Sequence, residues 1–557
     1  MVFTLHRYIL RELLKVFVLA VVALTVMLSL GSILRPVQEY GVGPRQAVHL
    51  MVYFLPITLT FVLPIGALFA ASLVYGRFAS DNELDACKAS GISLLTLVCP
   101  GLALAIVVAI ANLILSFHVM PVFIHLAEQS FKADAKQILF RNIQRRGYYS
   151  LPPDDEYLLY ADFANPQTDT LSGVVVVGLE DGSIKRIIST EHAKIIFNPH
   201  RRFSEVQITA HNTYQMDPDG SVAFIERLSL PTEFGSLLGD NIKFKKLDEM
   251  KKIRDVDLML FDPIAKLARR TYAQLTTEVL AQHIRTKTAG AGQSTQTSSQ
   301  MPETTGSFYL LYSGEKFVEF AATRCSVPHE KEIELSGDVL AVEYDAVVES
   351  GAVQKRLLRT FKCSRGLIRV EDDELSQTLT LELYRPTWQG PTGREEPALK
   401  WIPVRGLVVP AAVEAVTGKF RTGTGLNATE LASASLNLHV KPSPKLTGLQ
   451  QKLRKEIRNT LAEIEAEIQW RLAFGIGCVA MIMIGIGLGI ALKGGHLLSA
   501  FGASCVPAAV LIICVMTGRN IAKNPGVQVI SGTMLMWLGL ALLVLLAAVI
   551  YRRLLRN

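Results

Sequence analysis

Residues 76–93 of the chain read GRFASDNELDACKASGIS, a short polar stretch between two long apolar runs. A polar segment of this length, held between two membrane spans, cannot form a domain of its own. It predicts a short helix lying across the membrane face, where a soluble partner can touch it. Ser80 and Asn82 are candidate N-caps, and Gly91 is the expected stop. A solvated turn is the simplest alternative.

Composition divides the rest of the chain into membrane and soluble parts. Half of the 557 residues are apolar, and they concentrate in the first 126 and the last 90. The net charge of +7 is modest, and the basic residues form no stripe that indicates a nucleic-acid surface. Of seven cysteines, only Cys325 and Cys363 fall in the soluble middle. These two could pair if the middle lies outside the cytosol.

Six apolar runs are long enough to cross a bilayer, which takes about 20 residues at a rise of about 1.5 Å each. The basic segment before the first run has no small-residue cleavage site after it, so it does not indicate a cleavable signal. In span four, Gly485 and Gly489 form a GxxxG pair that allows close helix approach. The predicted spans are residues 16–34, 51–75, 100–117, 472–492, 497–517 and 527–551.

Lys and Arg residues in the short flanks predict the orientation of these spans. They are more frequent on the side that carries the N-terminus, and this bias predicts that both termini are cytoplasmic. The large middle domain is then outside the cytoplasm, and residues 76–93 are inside it.

Short runs rich in β-branched and aromatic residues open the soluble middle, and they predict a sandwich or jelly roll. A helical pattern follows over residues 246–284, then a Thr/Ser/Gln/Gly-rich stretch, residues 287–306, that predicts a disordered linker. Strands resume and continue to about residue 440. A helical stripe of apolar residues then runs directly into span four: Leu449, Leu453, Ile457, Leu461, Ile464, Ile468 and Leu472.

Four parts follow from this pass along the chain. They are an N-terminal membrane half over residues 1–126, a β-jelly-roll part over 127–245, an enlarged outer region over 246–449, and a connecting helix with the C-terminal membrane half over 450–557.

No residue pattern predicts catalysis, a metal site or a bound cofactor. The eleven histidines show no HExxH or similar spacing, and serines and cysteines lack a nucleophile context. The chain has no Walker A motif, so we expect it not to hydrolyse ATP by itself.

Residues 83–93, ELDACKASGIS, resemble the signature E-L-x-A-x-[RK]-A-[SA]-G-[IV]-S of the LptF/LptG (YjgP/YjgQ) permeases. Lys88 stands where Arg is usual, and Cys87 where a larger apolar residue is. Two further stretches agree: residues 171–193 are similar to the first outer-domain hairpin of that family, and residues 467–473, EIQWRLA, to its E-x-x-x-R-x-A entry to span four. The resemblance covers roughly residues 1–230 and 450–557, and residues 231–449 do not fit it.

The LptF/LptG permeases are the membrane subunits of the lipopolysaccharide export ABC transporter, and their short helix is the coupling helix that docks into an ATPase dimer. The resemblance implies an LptB-like ATPase dimer, a second LptF/LptG-like permease and LptC/LptA-like periplasmic bridge proteins as partners. It also implies a β-domain that passes acyl chains through its apolar interior. The implied functional residues are Glu467 at the entry to span four and, for ATPase coupling, Glu83, Leu84, Ala86, Lys88, Ala89, Ser90, Gly91 and Ser93.

A lipid with phosphates on its head group needs fixed cations at the outer membrane face. Arg35, Arg45 and Arg471 are the candidates, since the planar guanidinium donates two hydrogen bonds to phosphate at once. Each of them could instead merely snorkel to the head-group region. Arg471 could also pair with Glu467, one helical turn earlier.

The sequence therefore predicts a bacterial inner-membrane permease subunit that moves lipopolysaccharide or a similar lipid. Its expected fold is an α-helical membrane protein, with six transmembrane helices arranged 3+3. A large periplasmic, jelly-roll-like β domain is expected between spans three and four. A membrane-anchored periplasmic sensor or adaptor without transport activity is the alternative. The sequence does not distinguish an F-like from a G-like subunit.

Overall fold

A computed structural model describes residues 2–40, 44–151, 157–180, 183–198, 205–216, 222–233, 240–289, 309–313, 316–349, 352–372, 377–390, 395–396, 401–422, 425–433, 443–492, 497–523 and 529–556. The chain forms two compact units, Met1–Lys251 with Leu461–Asn557, and Lys252–Thr460. Of the predicted linker over 287–306, only the first three residues are described, as the end of a helix. The rest of that prediction lies outside the described residues.

The helices are α1 Val2–Tyr40, α2 Pro44–Ser80, α3 Glu83–Ala89, α4 Leu94–Ile114, α5 Met120–Arg146, α6 Leu247–Asp255, α7 Asp262–Ala289, α8 Ala411–Thr417, α9 Ala428–Ser433, α10 Pro444–Ala491, α11 Leu497–Lys523 and α12 Val529–Arg556. A π-helical turn, Leu115–Val119, joins α4 to α5. The strands are β1 Tyr148–Leu151, β2 Tyr157–Asn165, β3 Thr170–Glu180, β4 Ser183–Asn198, β5 Glu205–Met216, β6 Val222–Glu233, β7 Tyr309–Ser313, β8 Lys316–Ala321, β9 Arg324–Ser326, β10 Glu332–Glu349, β11 Ala352–Asp372, β12 Gln377–Tyr384, β13 Thr387–Gln389, β14 Glu395–Glu396, β15 Trp401–Val408, β16 Arg421–Thr422 and β17 Gly425–Leu426.

Six helical segments of the described chain are long and apolar enough to cross a membrane, which confirms the predicted number of spans. They are Phe3–Gly31, Met51–Ser80, Leu94–Ser130, Pro444–Ala491, Gly502–Lys523 and Ser531–Arg556. Most extend beyond the predicted limits because amphipathic turns continue the apolar helices. The predicted stripe that runs into span four is confirmed by α10, which is unbroken from Pro444 to Ala491.

The GxxxG pair of span four makes a close helix approach, as predicted, and the helix that it approaches is α2. A Cβ atom added at Gly489 would lie 2.9 Å from the carbonyl oxygen of Ser72, and one at Gly485 would lie 2.7 Å from a methyl group of Leu68. Any larger side chain would push the two helices apart, so these glycines set the distance between α10 and α2.

The first unit also contains an antiparallel sheet in which β1 to β6 follow one another in chain order. One face of the sheet is buried, and it includes Leu159, Ala161, Val174 and Ile188. Helix α5 contacts β1 and β2, and its Gln144 amide donates to the carbonyl oxygen of Ala164 at 3.0 Å.

The second unit contains a closed β-barrel. Its ring runs β10–β11–β12–β15–β7–β8 and closes because β10 pairs with both β8 and β11. Strands β9, β13 and β14 extend it at the margins. Its buried side chains include Leu311, Phe320, Phe361, Leu381 and Leu407. In the same unit α7 is buried on all sides over residues 271–281, and the side chain of its Glu278 accepts a hydrogen bond from the Ser443 amide at 3.0 Å.

The predicted combination of membrane helices with a separate β-rich region between spans three and four is confirmed. The first sheet is nevertheless a meander, whereas a jelly roll pairs strands that are distant in the chain. Cys325 and Cys363 are both free thiols. Cys325 lies opposite Leu335 on one edge of β10, and Cys363 lies opposite Val339 on the other edge. The strand β10 therefore separates the two thiols.

Candidate functional site

The polar stretch between α2 and α4 forms a short helix, α3, as predicted, but neither predicted cap acts as one. Asn82 stands at the N-cap position in the left-handed conformation, with φ of 56°, and its side chain makes no capping bond. A side-chain N-cap needs extended backbone, so this geometry explains the failure. The hydroxyl of Ser80 donates back to the carbonyl oxygen of Arg77 in α2.

The end of α3 confirms the predicted stop at Gly91. The amide of Gly91 donates to the carbonyl oxygen of Lys88 at 2.9 Å, and the amide of Ile92 donates to that of Cys87 at 3.1 Å. These two bonds define a Schellman motif, with Gly91 in the left-handed region at φ of 80°. Side chains other than glycine adopt that conformation at a cost, so Gly91 is required by the backbone and not by crowding.

Leu84 and Ser93, both predicted coupling residues, serve the chain itself. Leu84 is 4% exposed and belongs to the apolar core formed by α1, α2, α4 and α10, against which Cys87 and Ile92 also pack. Ser93 is the N-cap of α4, and its hydroxyl accepts from the amide of Thr96 at 3.3 Å.

The remaining predicted coupling residues are exposed. They form what we call the α3 strip: Glu83, Ala86, Lys88, Ala89, Ser90 and Gly91. An exposed strip on a helix whose other side is locked into the core can present charges to a soluble partner without moving.

Arg471, predicted as a lipid-phosphate ligand, is fully buried at 0% side-chain exposure. Its Nε donates to Glu467 Oε1 at 3.2 Å. Its other nitrogens donate to backbone carbonyl oxygens, at 2.9 Å for Ser116 and 2.7 Å for Lys243. The structure therefore shows the alternative, a pair with Glu467, because a buried guanidinium with these partners is not available to an outside phosphate.

Glu467 is the centre of a wider charged cluster, which sequence reasoning found only in part. Its second oxygen accepts from Arg519 Nη2 at 2.5 Å, and Arg519 lies over the ring of Trp470 at 4.9 Å. Burial, and then the charges of Lys523 and Arg519, lower the pKa of Lys243 below its usual value. The i, i+4 spacing of Glu467 and Arg471 was visible in the sequence, whereas Arg519 and Lys243 come from distant segments.

Arg35 and Arg45, the other two predicted phosphate ligands, stand on helices α1 and α2. Their side chains lie outside the described part of the structure. Among the described residues, no group of three or more His, Cys, Asp or Glu side chains could hold a metal ion.

The face of the six-stranded sheet that does not pack inward is mainly apolar, and its side chains are exposed or half-buried among the described residues. Tyr214 is 55% exposed and Phe224 50% exposed, and their rings lie 5.2 Å apart on neighbouring strands. Strand register places the following side chains on this surface, which we call the open face: Tyr148, Leu158, Tyr160, Val175, Val177, Ile187, Tyr214, Met216, Val222 and Phe224.

A soluble monomer seldom leaves such a mainly apolar surface uncovered. Sequence reasoning missed the open face as a set of residues. The alternation of side chains along each segment predicted strands, but alternation alone does not say which face of the sheet is covered.

The family model described as "Lipopolysaccharide export system permease LptF/LptG" matches residues 7–289 and 419–553. The match therefore extends further into the middle of the chain than the resemblance seen in the sequence, and it leaves out residues 290–418. No curated protein matches the chain.

Proposed function

Because the chain belongs to the LptF/LptG family of lipopolysaccharide export permeases, we propose that it extracts lipopolysaccharide or a similar lipid from the inner membrane and passes it toward a periplasmic bridge. A separate LptB-like ATPase dimer would drive the movement, and a second LptF/LptG-like permease would complete the membrane part. LptC/LptA-like proteins would receive the lipid.

The open face is the observation that carries this proposal. Its aromatic and aliphatic side chains lie in rows across six strands, and they offer a lipid chain apolar contact without any rearrangement of the sheet's buried side. The opposite face of the same sheet is packed, so only one side is open to a ligand.

Photo-crosslinking tests the open face directly. A benzoylphenylalanine residue replaces Tyr214, and lipopolysaccharide is followed in membranes that hold the whole transporter. We expect an ATP-dependent adduct. The matched control is the same probe at Tyr312, which is also exposed but stands on the barrel of the second unit. Equal, ATP-independent labelling at both positions would refute a specific path along the open face.

The α3 strip supports the second part of the proposal, coupling to the ATPase. Ala89 is exposed, on a helix held at its end by the backbone. A tryptophan at position 89 should therefore block a partner without disturbing the core. We expect Ala89→Trp to abolish copurification of a Walker-A ATPase while expression is kept.

Arg556→Trp, which adds the same bulk at an exposed position of α12, is the control for that experiment. If the unmodified chain copurifies no ATPase, the adaptor alternative replaces the transport proposal.

Orientation is part of the proposal as well. In a cysteine-free background, a cysteine at Asn427 should react with a membrane-impermeant thiol reagent in cells whose outer membrane alone is permeable. A cysteine at Ser80 should stay unlabelled. The reverse pattern would place α3 outside the cytoplasm and remove its role in ATPase coupling.

A further inference from the structure

A cleft of about 400 Å³ lies beside α3, where α10 and α12 end. Its walls are apolar side chains from four helices, among them Ala79 of α2, Leu84 of α3, Leu488 of α10 and Ile550 of α12. The volume falls within the range of about 300–1,000 Å³ that small-molecule sites occupy.

Two cations, Lys88 and Arg553, stand in the lining of this cleft. Both side chains are exposed, and neither takes part in an ion pair within the described residues. One carboxylate, Asp85, also lines the cleft, and it has an interaction of its own within the protein. The lining therefore has a surplus of positive charge next to an apolar wall.

The cleft lies at the depth where two spans leave the hydrocarbon. Ala491 is the last residue of the fourth apolar segment, and Arg553 lies in the last turn of the sixth. Basic pockets between transmembrane helices at this level fit the head groups of acidic lipids, because the phosphate meets the cations while the chains stay in the apolar layer.

We propose that this cleft binds an acidic glycerophospholipid from the membrane leaflet in which α3 lies. The phosphate accepts hydrogen bonds from Lys88 and Arg553, and the start of an acyl chain packs along Leu488 and Ile550. The proposal requires only that the six segments span a membrane. It does not depend on the transported cargo, for which the open face is the proposed path.

A protein segment is the competing occupant, since the α3 strip is next to the cleft. The sixth span favours the lipid: only 22% of its most apolar window is buried within the protein, so the side of the cleft formed by Ile550 is open to lipid from the bilayer.

Native mass spectrometry of the full chain in detergent tests the proposal, with dioleoylphosphatidylglycerol as the anionic probe and dioleoylphosphatidylcholine as the zwitterionic reference without net charge. We expect phosphatidylglycerol to be retained preferentially, and Arg553→Gln to weaken its binding about tenfold, as the loss of one charge-assisted hydrogen bond predicts. Arg552→Gln is the matched control, because Arg552 is exposed on the same turn but does not line the cleft.

Ala491→Trp provides a second variant, which fills the cleft and changes no charge. It should lower phosphatidylglycerol binding to a similar extent. Equal retention by the Arg552 and Arg553 variants would overturn the proposal, and so would equal retention of the two lipids.

An unchanged lipid retention together with lost ATPase copurification in Arg553→Gln would assign the cleft to the protein partner instead. Because the coupling test uses Ala89→Trp and the lipid test uses Arg553 and Ala491, failure of one does not imply failure of the other.

Discussion

Two β regions of the molecule use the same alternation of apolar and polar side chains with opposite results. The sheet of β1 to β6 buries one face, and none of the described residues covers the open face. The barrel in the second unit closes on itself, and its interior is filled by side chains such as Phe361, which is 1% exposed. The filled interior of the barrel has no room for a lipid chain, whereas the open face offers a surface along which such a chain can pack.

The family match separates the same two regions, because one lies inside the matched residues and the other outside them. It includes all six strands of the open sheet and leaves out residues 290–418, which contain every strand of the barrel. The open face is thus a feature of the part shared with the LptF/LptG family. The barrel lies outside the matched residues, and its interior is occupied by its own side chains.

Truncation inside the barrel should have the largest effect. Phe361→Ala removes a ring from a closed, packed interior and should lower the free energy of unfolding of the barrel by about 3–5 kcal/mol. Hydrogen exchange of peptides from β10 to β12, in the full chain in detergent, measures this, with α4 peptides as internal reference. Phe361→Leu, which keeps most of the volume, should cost less than about 1.5 kcal/mol. A small effect of the alanine variant would show that the interior is not filled.

Two glycines of the barrel should respond differently to alanine. Gly337 has φ of 95°, and an added Cβ would lie 2.7 Å from that of Thr323. Gly406 has φ of 74° with open space around it. Gly337→Ala should therefore cost about 2–3 kcal/mol, and Gly406→Ala about 1 kcal/mol, since only the first adds a clash to the backbone strain. Hydrogen exchange of the peptide that contains β10 distinguishes the two variants. Equal losses of stability would contradict the tight fit at Gly337.

Phe224→Ala, on the open face, should alter stability far less and lipid contact far more. Loss of its ring contact with Tyr214 should cost about 1 kcal/mol. The yield of lipopolysaccharide adduct from a benzoylphenylalanine at Tyr214 should fall by about fivefold, because about half the burial energy of an aromatic side chain is lost. A stability loss as large as that of Phe361→Ala would show that the open face is covered in the native protein.

Tyr312→Ala should have the smallest effect. Tyr312 is an exposed ring on the barrel, stacked on Phe317 at 5.9 Å. We expect a loss of stability no larger than the about 1 kcal/mol of the Phe224 variant and an unchanged adduct yield at Tyr214. A fall in that yield would mean that exposed rings anywhere on the chain attract lipid, and the contrast between the two regions would no longer hold.

The sequence was most informative where one residue type fixes a local conformation. Gly91 was predicted to end α3, and it does so in the left-handed region. The spans were predicted from length and apolar composition, both of which are local properties. Asn82 shows the limit: its residue type suits an N-cap, but the turn after α2 places it in a conformation from which its side chain cannot cap.

Tertiary contacts account for most of what the sequence did not predict. Arg471 was one of three candidate phosphate ligands, with a pair to Glu467 as the alternative, and the sequence did not show that carbonyl oxygens of Ser116 and Lys243, from two distant segments, also bind it. The open face depends on which side of a sheet another element covers. Neither property is encoded in a window of neighbouring residues, so no periodicity could have shown it.

Helix α3 is held in place by main-chain bonds and core contacts, so its outward side chains can vary without loss of the helix. Its C-terminal bonds are made by main-chain atoms, and its anchors, Leu84 and Ile92, point into the core. The outward positions therefore contribute little to the fold, although they are the positions proposed to recognise the ATPase. A few substitutions in the α3 strip would then be enough for a permease to bind the ATPase of another transporter, because the fold of α3 would not change.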